Sequence, residues 1–184
     1  AGFKNLHTVK EQMVVSGDFP TVVSPNPEEK AAMTLAIDKA KEVNADVVLA
    51  TDPDADRVGI AVKNENGEYV LLNGNQTATL LTYYLLTRWD ELGKLTGKEY
   101  IVKTIVTTEL LFDIADKFNV KKFDVLTGFK FIADKILNNP DMTFIGGGEE
   151  SYGFLIGDFV RDKDANSACF MIAEMSAWAA EHGK

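Results

Sequence analysis

The stretch YIVKTIVTTELLFDIADKFNVKKFDVLTGFKFIADKILNNPDMTFIGGG, residues 100–148, sets the fold of the chain. Apolar runs alternate in it with amphipathic segments, and their spacing predicts strands at 100–106, 122–126 and 142–145 and helices at 109–118 and 129–137. Asn-Asn-Pro at 138–140 ends the second helix. Strands that alternate with helices favour an α/β architecture with a largely parallel sheet.

The alternation continues on both sides of this stretch. Upstream, Pro27 and the acidic residues after it indicate a helix start, and apolar positions keep helical spacing as far as Val43. Short apolar runs predict strands at 47–50, 58–62 and 69–72, and helical patterns follow at 76–89 and 164–181. We expect two structural regions, residues 1–72 and 73–184, because full strand–helix alternation begins only after the Asn-Gly-Asn turn.

Composition and charge exclude several functional classes. The chain has 184 residues, with 19 Lys and Arg against 28 Asp and Glu, and a formal net charge of −9. Nucleic acids and anionic membranes bind basic faces, so neither is an expected partner, although a small phosphorylated ligand could still use a local basic pocket. The single cysteine, Cys169, cannot form an internal disulfide, and His7 and His182 are too few for a histidine-centred site.

No targeting or membrane segment is expected. The longest apolar run, 80–86, is far shorter than the roughly 18 residues of a membrane span. The chain does not open with a signal sequence. We therefore expect a cytoplasmic protein.

The stretch TDPDADR, residues 51–57, carries the first candidate site. Asp52, Asp54 and Asp56 alternate where one predicted strand ends and the next begins. Alternate residues of a loop can point to one side, where three carboxylates repel one another unless they share a divalent cation, and oxygen ligands suit Mg²⁺. A solvated acidic turn is the alternative, because Asp and Pro are common turn residues.

The residues of this acidic loop also test two other kinds of site, a calcium-binding EF-hand and a phosphatase nucleophile. An EF-hand is excluded, because the positions that require Gly and Glu hold Arg57 and Lys63. A phosphatase with Asp52 or Asp54 as nucleophile stays open. Arg57 either forms an ordinary ion pair with Asp54 or Asp56, or makes a bidentate contact with a phosphate beside the metal.

The stretch GGGEESYG, residues 146–153, carries the second candidate site. Its glycines allow close backbone approach, and its Glu and Ser side chains suit the vicinal hydroxyls of a sugar. A flexible loop with solvated acids is the alternative. The spacing differs from a dinucleotide-binding Gly-x-Gly-x-x-Gly motif. The charged stretch RDKD, residues 161–164, either forms a helix entry or holds a phosphate near this loop.

Four stretches together resemble the α-D-phosphohexomutase superfamily of phosphoglucomutases and phosphomannomutases: DPDADR (52–57), TGFK (127–130), GEESYG (148–153) and RDKD (161–164). Their order and separations are also similar, and PNPE (25–28) and GNQ (74–76) resemble its bacterial long-chain phosphoglucomutase branch. The resemblance covers essentially the whole chain. It implies three-layer α/β/α domains with mixed, mostly parallel sheets flanked by helices. Of the family's four domains, residues 1–72 would be the C-terminal part of the second and 73–184 the third.

The resemblance also implies a role for each candidate residue. Asp52, Asp54 and Asp56 would bind one Mg²⁺ per active site, and Arg57 would act as a catalytic residue beside the phosphoserine. The substrate would contact a second set of residues: Glu149, Ser151, Lys163, Thr127, Gly128 and Arg161. The family moves a phosphoryl group between the 1- and 6-positions of a hexose through a phosphoserine, with glucose 1,6-bisphosphate as intermediate and activator. The pair of Glu149 and Ser151 fits several hexoses, and the family includes enzymes that use glucose and enzymes that use mannose.

Two parts of the family's machinery have no match in this sequence. The phosphoserine motif, of the Thr-Ala-Ser-His-Asn-Pro type, is missing, and SPNP at 24–27 lacks its histidine. The phosphate-binding loop of the fourth domain is missing as well. We therefore expect an excised segment that has no mutase turnover alone, with hexose phosphates and the first and fourth domains of the same polypeptide as partners.

Two other interpretations of the chain remain besides a segment of a mutase. A magnesium-dependent phosphatase predicts net release of inorganic phosphate. A stand-alone sugar-phosphate-binding module predicts affinity for the ligand without further domains.

Overall fold

The computed structural model describes residues 2–184, which form two sheets and five α-helices. The antiparallel first sheet, in order β1-β2-β3, contains β1 (Val47–Thr51), β2 (Val58–Lys63) and β3 (Tyr69–Leu72). The second sheet, in order β5-β4-β6-β7, contains β4 (Glu99–Thr104), β5 (Lys121–Val125), β6 (Thr143–Gly148) and β7 (Phe154–Ile156). The helices are α1 (Thr34–Val43), α2 (Gly74–Glu91), α3 (Leu110–Lys117), α4 (Phe129–Leu137) and α5 (Ala165–Glu181). A short 3₁₀ helix covers Lys10–Met13.

The α/β class predicted from the sequence is confirmed, and the second sheet is mostly parallel. Strand β4 pairs in parallel with β5 and β6, and only β7 runs antiparallel to its neighbour. The first sheet differs from the prediction because it is antiparallel throughout. The short loops that follow β1 and β2 are the reason, since a parallel pairing needs a crossover of about a dozen residues or more.

Helices cover both faces of the second sheet, which gives the expected three layers. Helix α4 packs on one face through Ile132 and Ile136, and α2, α3 and α5 pack on the other. Helix α1 covers one face of the first sheet. Helix α5 also contacts β1 and β2, so Ile60 of the first sheet and Ile172 of α5 belong to one hydrophobic cluster. The two sheets therefore share a core.

The first helix begins later than predicted. Residues 27–33 form turns, and α1 starts only at Thr34. The backbone of Pro27 lies against β2, where a Cβ added at Gly59 would stand 2.5 Å from the Pro27 carbonyl oxygen. The Asn26 side chain accepts the Glu28 N–H at 3.0 Å. These contacts hold the segment in turns against its helical pattern.

The glycine run 146–148, predicted as a loop, forms the second half of β6. Gly147 lies so close to β4 that a Cβ there would stand 2.2 Å from the Val102 carbonyl oxygen. The glycines therefore allow tight strand pairing. The sequence analysis missed β7, which has only three residues. Among residues 2–184, no helix is both long and apolar enough to cross a membrane.

Candidate functional site

The acidic loop (residues 51–57) gathers three carboxylates. One oxygen each of Asp52, Asp54 and Asp56 lies within 4.8 Å of the others. Asp52 is buried, Asp56 is half-buried and Asp54 is exposed. Ala55 adopts a left-handed conformation with φ 57°, which turns the chain between the second and third aspartates. Ligand oxygens about 2.1 Å from a Mg²⁺ ion lie roughly 3 Å apart when adjacent, so the three carboxylates would move closer together to share one ion.

Asp52 is held as a carboxylate by its own loop. Its Oδ1 accepts the backbone N–H groups of Asp56 and Arg57, each at 3.0 Å, and its Oδ2 accepts Nε–H of Arg57 at 2.7 Å. Burial raises the pKa of Asp52, but these hydrogen bonds outweigh burial and lower it overall. The carboxyl nearest the core therefore stays ionised.

The main partner of Arg57 is Asp52, and the ion pair with Asp56, one alternative given by the sequence, is also present. Its Nε lies 3.6 Å from Asp56, and its Nη1 lies 3.5 Å from Glu28. The hydrogen bond to Asp52 is the main reason that the pKa of Arg57 is raised. The guanidinium is thus fixed at the edge of the acidic loop with about a third of its side chain exposed, 34%.

Lys163 reaches the acidic loop from the segment before α5. Its Nζ lies 2.9 Å from Oδ2 of Asp56. Its stem crosses Gly153, where a Cβ would stand 2.1 Å from Cδ of Lys163. Burial lowers the pKa of Lys163, but the ion pair with Asp56 raises it overall. Burial raises the pKa of Asp56, and Lys163 offsets only part of that effect.

The Glu-Glu-Ser loop (residues 148–153) follows β6. Glu149 is buried, and its Oε1 accepts the backbone N–H of Gly128 at 2.9 Å. Gly128 has φ 118°, a conformation that favours glycine, and precedes the first residue of α4. Ser151 is exposed, and so is Thr127 beside Gly128.

Backbone contacts join the two loops. Arg57 and Gly153 form an isolated antiparallel bridge, and the Val58 N–H donates to the Tyr152 carbonyl at 3.2 Å. At the start of α5, the Ala165 N–H donates to the Ala55 carbonyl at 3.0 Å. These contacts place the candidate metal ligands next to Lys163 and the Glu-Glu-Ser loop.

Arg161 is directed elsewhere in this structure. It is exposed, and its guanidinium donates to the Asp158 and Val160 carbonyls of its own loop. Its contact with substrate stays a prediction, as do the roles of the other candidate residues.

Sequence reasoning missed two groups at the site. Glu28 contacts Arg57 although the two residues are 29 positions apart in the sequence. The only sequence signal for Glu28 is its position directly after the Pro-Asn-Pro turn. Glu150 contacts two threonines: Thr104, near the end of the strand predicted at 100–106, and Thr107, just after it. Threonines at a strand end are a weak signal, because they are also common strand and turn residues.

Comparison with known proteins gives close matches along the whole chain. A family model described as phosphoglucomutase/phosphomannomutase, alpha/beta/alpha domain III, matches residues 73–184, and the model of domain II matches residues 1–67. A phosphoglucomutase of Staphylococcus aureus is 38% identical over 183 residues, which cover 99% of this chain and 32% of the relative. The chain thus spans about a third of the length of that relative.

Solved structures with the same fold include two mutase-family proteins. A phosphoglucomutase/phosphomannomutase family protein from Burkholderia thailandensis aligns with a TM-score of 0.65 at 19% identity, over 85% of this chain and 32% of that chain. Aspergillus fumigatus N-acetylphosphoglucosamine mutase, in complex with GlcNAc-6P and magnesium, aligns with a TM-score of 0.54 at 16% identity, over 74% and 33%. Because one family model alone accounts for more than half of its residues, the chain belongs to the phosphoglucomutase/phosphomannomutase family.

Proposed function

We propose that this chain is the metal- and sugar-binding segment of a phosphohexomutase, an isomerase that interconverts hexose 1-phosphates and hexose 6-phosphates. The observation that carries the proposal is the backbone bridge between Arg57 and Gly153, which brings the acidic loop and the Glu-Glu-Ser loop together. Family membership supports it, and so does the name of the Staphylococcus aureus relative. The phosphoserine and a second phosphate-binding loop would come from other parts of a longer polypeptide.

Asp52, Asp54 and Asp56 would hold Mg²⁺, one ion per site. When bound, the ion would supply Lewis-acid stabilisation of phosphoryl oxygens. Arg57, fixed by Asp52, presents N–H donors to a phosphate at the edge of the acidic loop. The magnesium named with the Aspergillus fumigatus structure supports this choice of ion.

The Glu-Glu-Ser loop would bind the sugar. The backbone N–H of Gly128 donates to Oε1 of Glu149, so the other carboxylate oxygen, Oε2, would accept a hydrogen bond from a sugar hydroxyl. Ser151 is exposed and can donate or accept beside it. Lys163, Thr127 and Arg161 would complete the substrate contacts. The substrates would be hexose phosphates, with glucose 1,6-bisphosphate as intermediate and activator.

Magnesium binding can be tested on the 184-residue chain. With Mg²⁺ at 100 times its dissociation constant, we expect the free energy of unfolding to rise by about 2.7 kcal/mol. Asp54→Asn removes one negative charge from the acidic loop and should weaken that rise in urea unfolding. Asp141→Asn, which changes another exposed aspartate, is the matched control. An equal response in both variants would remove the acidic loop from the metal site.

Turnover can be tested with a chimera. Residues 2–184 would replace the aligned segment of the Staphylococcus aureus phosphoglucomutase, to which they are 38% identical. We expect the chimera to convert glucose 1-phosphate into glucose 6-phosphate and the Asp54→Asn chimera to lose at least about a hundredfold in kcat/KM. The 184-residue chain alone should show no conversion. Net phosphate release by that chain would instead favour a phosphatase, and robust conversion by it would contradict the proposed segment.

A further inference from the structure

We propose that Glu150 is a positioning residue, which Thr107 and Thr104 hold so that its neighbours Glu149 and Ser151 face the sugar. The inference rests on the proposed function of the Glu-Glu-Ser loop. It concerns the second acidic side chain of that loop, which contacts Thr104 at the end of β4 and Thr107 just after it.

Thr107 contacts both ends of Glu150. The Glu150 backbone N–H donates to Oγ1 of Thr107 at 3.1 Å, and Oε2 of Glu150 lies 3.3 Å from the same hydroxyl. Thr104 lies 2.8 Å from Thr107, measured between the hydroxyl oxygens, and 3.4 Å from Oε2 of Glu150. Two hydroxyls have two protons, so Thr104 can donate to Thr107 while Thr107 donates to the carboxylate. The Thr107 oxygen still accepts the Glu150 N–H.

The two threonines form a rigid support. Thr104 is 0% exposed and Thr107 is 3% exposed. Thr104 ends β4, a central strand whose residues are all buried, and the Thr107 N–H donates to the Thr104 carbonyl at 2.9 Å. Buried hydroxyls need hydrogen-bond partners, and Glu150 supplies them. The contact therefore orders the loop relative to the core of the second sheet.

Helix α2 fixes the same residue from another direction. A Cβ added at Gly74 would stand 1.9 Å from the Glu150 carbonyl oxygen and 2.8 Å from the Tyr152 nitrogen. The loop backbone thus rests directly on the first turn of α2. With Glu150 held inward, Glu149 reaches the N–H of Gly128 and Ser151 is exposed. Loss of the Thr107 contact should let both sugar-binding residues move.

The test compares Thr107→Val, which keeps the shape and removes the hydroxyl, with Thr107→Ser, which keeps the hydroxyl. Hydrogen exchange of the amides at 149–153 and calorimetric titration of the 184-residue chain with glucose 6-phosphate and with Mg²⁺ are the measurements. For Thr107→Val we expect loop exchange about tenfold faster and affinity for glucose 6-phosphate about tenfold weaker, a change equivalent to about one net hydrogen bond. The Mg²⁺ dissociation constant should stay within about twofold, because the acidic loop keeps its own contacts. Thr107→Ser should restore exchange and affinity.

Two further variants keep the inference testable if Thr107→Val fails to fold and separate a positioning role from a direct contact. Glu150→Ala removes the carboxylate, the half-buried partner of the contact, and leaves the buried threonines in place. It is the variant to measure if Thr107→Val fails to fold. Ser151→Ala should weaken glucose 6-phosphate binding without faster loop exchange, which separates a contact from a positioning role. Unchanged exchange in Glu150→Ala and Thr107→Val would overturn the inference. A wild-type chain that binds no glucose 6-phosphate would overturn the proposed function of the loop, while the exchange data would still decide whether Glu150 anchors it.

Discussion

Lys163 neutralises one of the three carboxylates that we propose as metal ligands. Its ammonium lies 2.9 Å from Oδ2 of Asp56, and 18% of its side chain is exposed. A divalent cation bound by Asp56 must compete with this contact, and it also repels the ammonium. The ion pair should therefore weaken metal binding.

Lys163→Met keeps most of the stem that packs on Gly153 and removes the charge. We expect the Mg²⁺ dissociation constant of the 184-residue chain to fall about three- to tenfold, because one nearby positive charge is lost in a largely aqueous setting. Isothermal titration calorimetry measures it. Lys121→Met, at an exposed position of β5, is the control and should leave the constant unchanged. Weaker binding by Lys163→Met would mean that Lys163 supports the metal site.

The sequence predicts that the three aspartates cluster because they alternate within a single loop, whereas their role as metal ligands stays a prediction. Alternation alone brings their oxygens together, and the structure has them within 4.8 Å of one another. The salt bridge from Lys163 to Asp56 and the one from Glu28 to Arg57 join residues far apart in the sequence. Their pairing depends on how α5 and the Pro-Asn-Pro turn pack, which local spacing does not encode.

At the scale of elements, Glu99 fixes the start of β4. Its Oε2 accepts the backbone N–H groups of Thr96, Gly97 and Lys98 at 2.8, 2.9 and 3.1 Å, and its Oε1 accepts the Thr96 hydroxyl at 2.7 Å. Burial raises the pKa of Glu99, but these hydrogen bonds outweigh it, so the pKa lies below the ordinary 4.5. The ionised carboxylate therefore stabilises the turn that leads into the central strand.

Glu99→Gln should lower the free energy of unfolding by about 2 kcal/mol at pH 7, because an amide N–H₂ then faces backbone donors. A carboxyl with a lowered folded-state pKa stabilises the protein above its ordinary pKa, and the effect disappears as the pH falls through the lower value. The difference between wild type and variant should thus shrink as the pH falls from 7 to 3 in urea unfolding. Glu65→Gln, in the exposed turn before β3, should cause no such change. An equal difference at both pH values would contradict a role for the charge.

The helices and strands show where local pattern suffices and where it does not. Helix α4 covers Phe129–Leu137 as its spacing predicts, and its apolar positions Phe129, Ile132 and Ile136 are the buried ones. The segment at 27–33 has helical signals but packs as turns against Gly59. The glycine run 146–148 pairs as strand because its neighbours β4 and β7 come close, a feature of tertiary structure.

At the scale of the whole molecule, the two sheets depend on one core. Val58 and Ile60 of β2 cluster with Ala168 and Ile172 of α5, and Ile145 of the second sheet belongs to the same cluster. Short loops explain the antiparallel first sheet, but the sequence gives no sign that α5 packs on it. The division at residue 72 therefore stays a prediction about domains, while the packing across it is continuous.

Ile60→Ala tests whether the shared core unfolds as a unit. Ile60 is 2% exposed, so we expect a loss of about 3 kcal/mol. Both tryptophans, Trp89 and Trp178, lie in α2 and α5 rather than in the first sheet. Tryptophan fluorescence and far-ultraviolet circular dichroism should nevertheless report the same lowered urea midpoint. Val70→Ala, at a position 45% exposed, should change it little. A fluorescence midpoint that stays at the wild-type value would mean that the sheets unfold separately.

The core that α5 completes on the first sheet also limits how relatives can exchange parts. A recombination crossover between residues 67 and 73 would join β1 and β2 of one parent to α5 of the other. Side chains that belong to one cluster, such as Ile60 and Ile172, would then come from different parents. They would pack well only if their combined volume still filled the same space in the core. Crossovers that keep residues 47–181 together avoid this mismatch. We therefore expect relatives to exchange the segment from residue 47 to residue 181 as one unit.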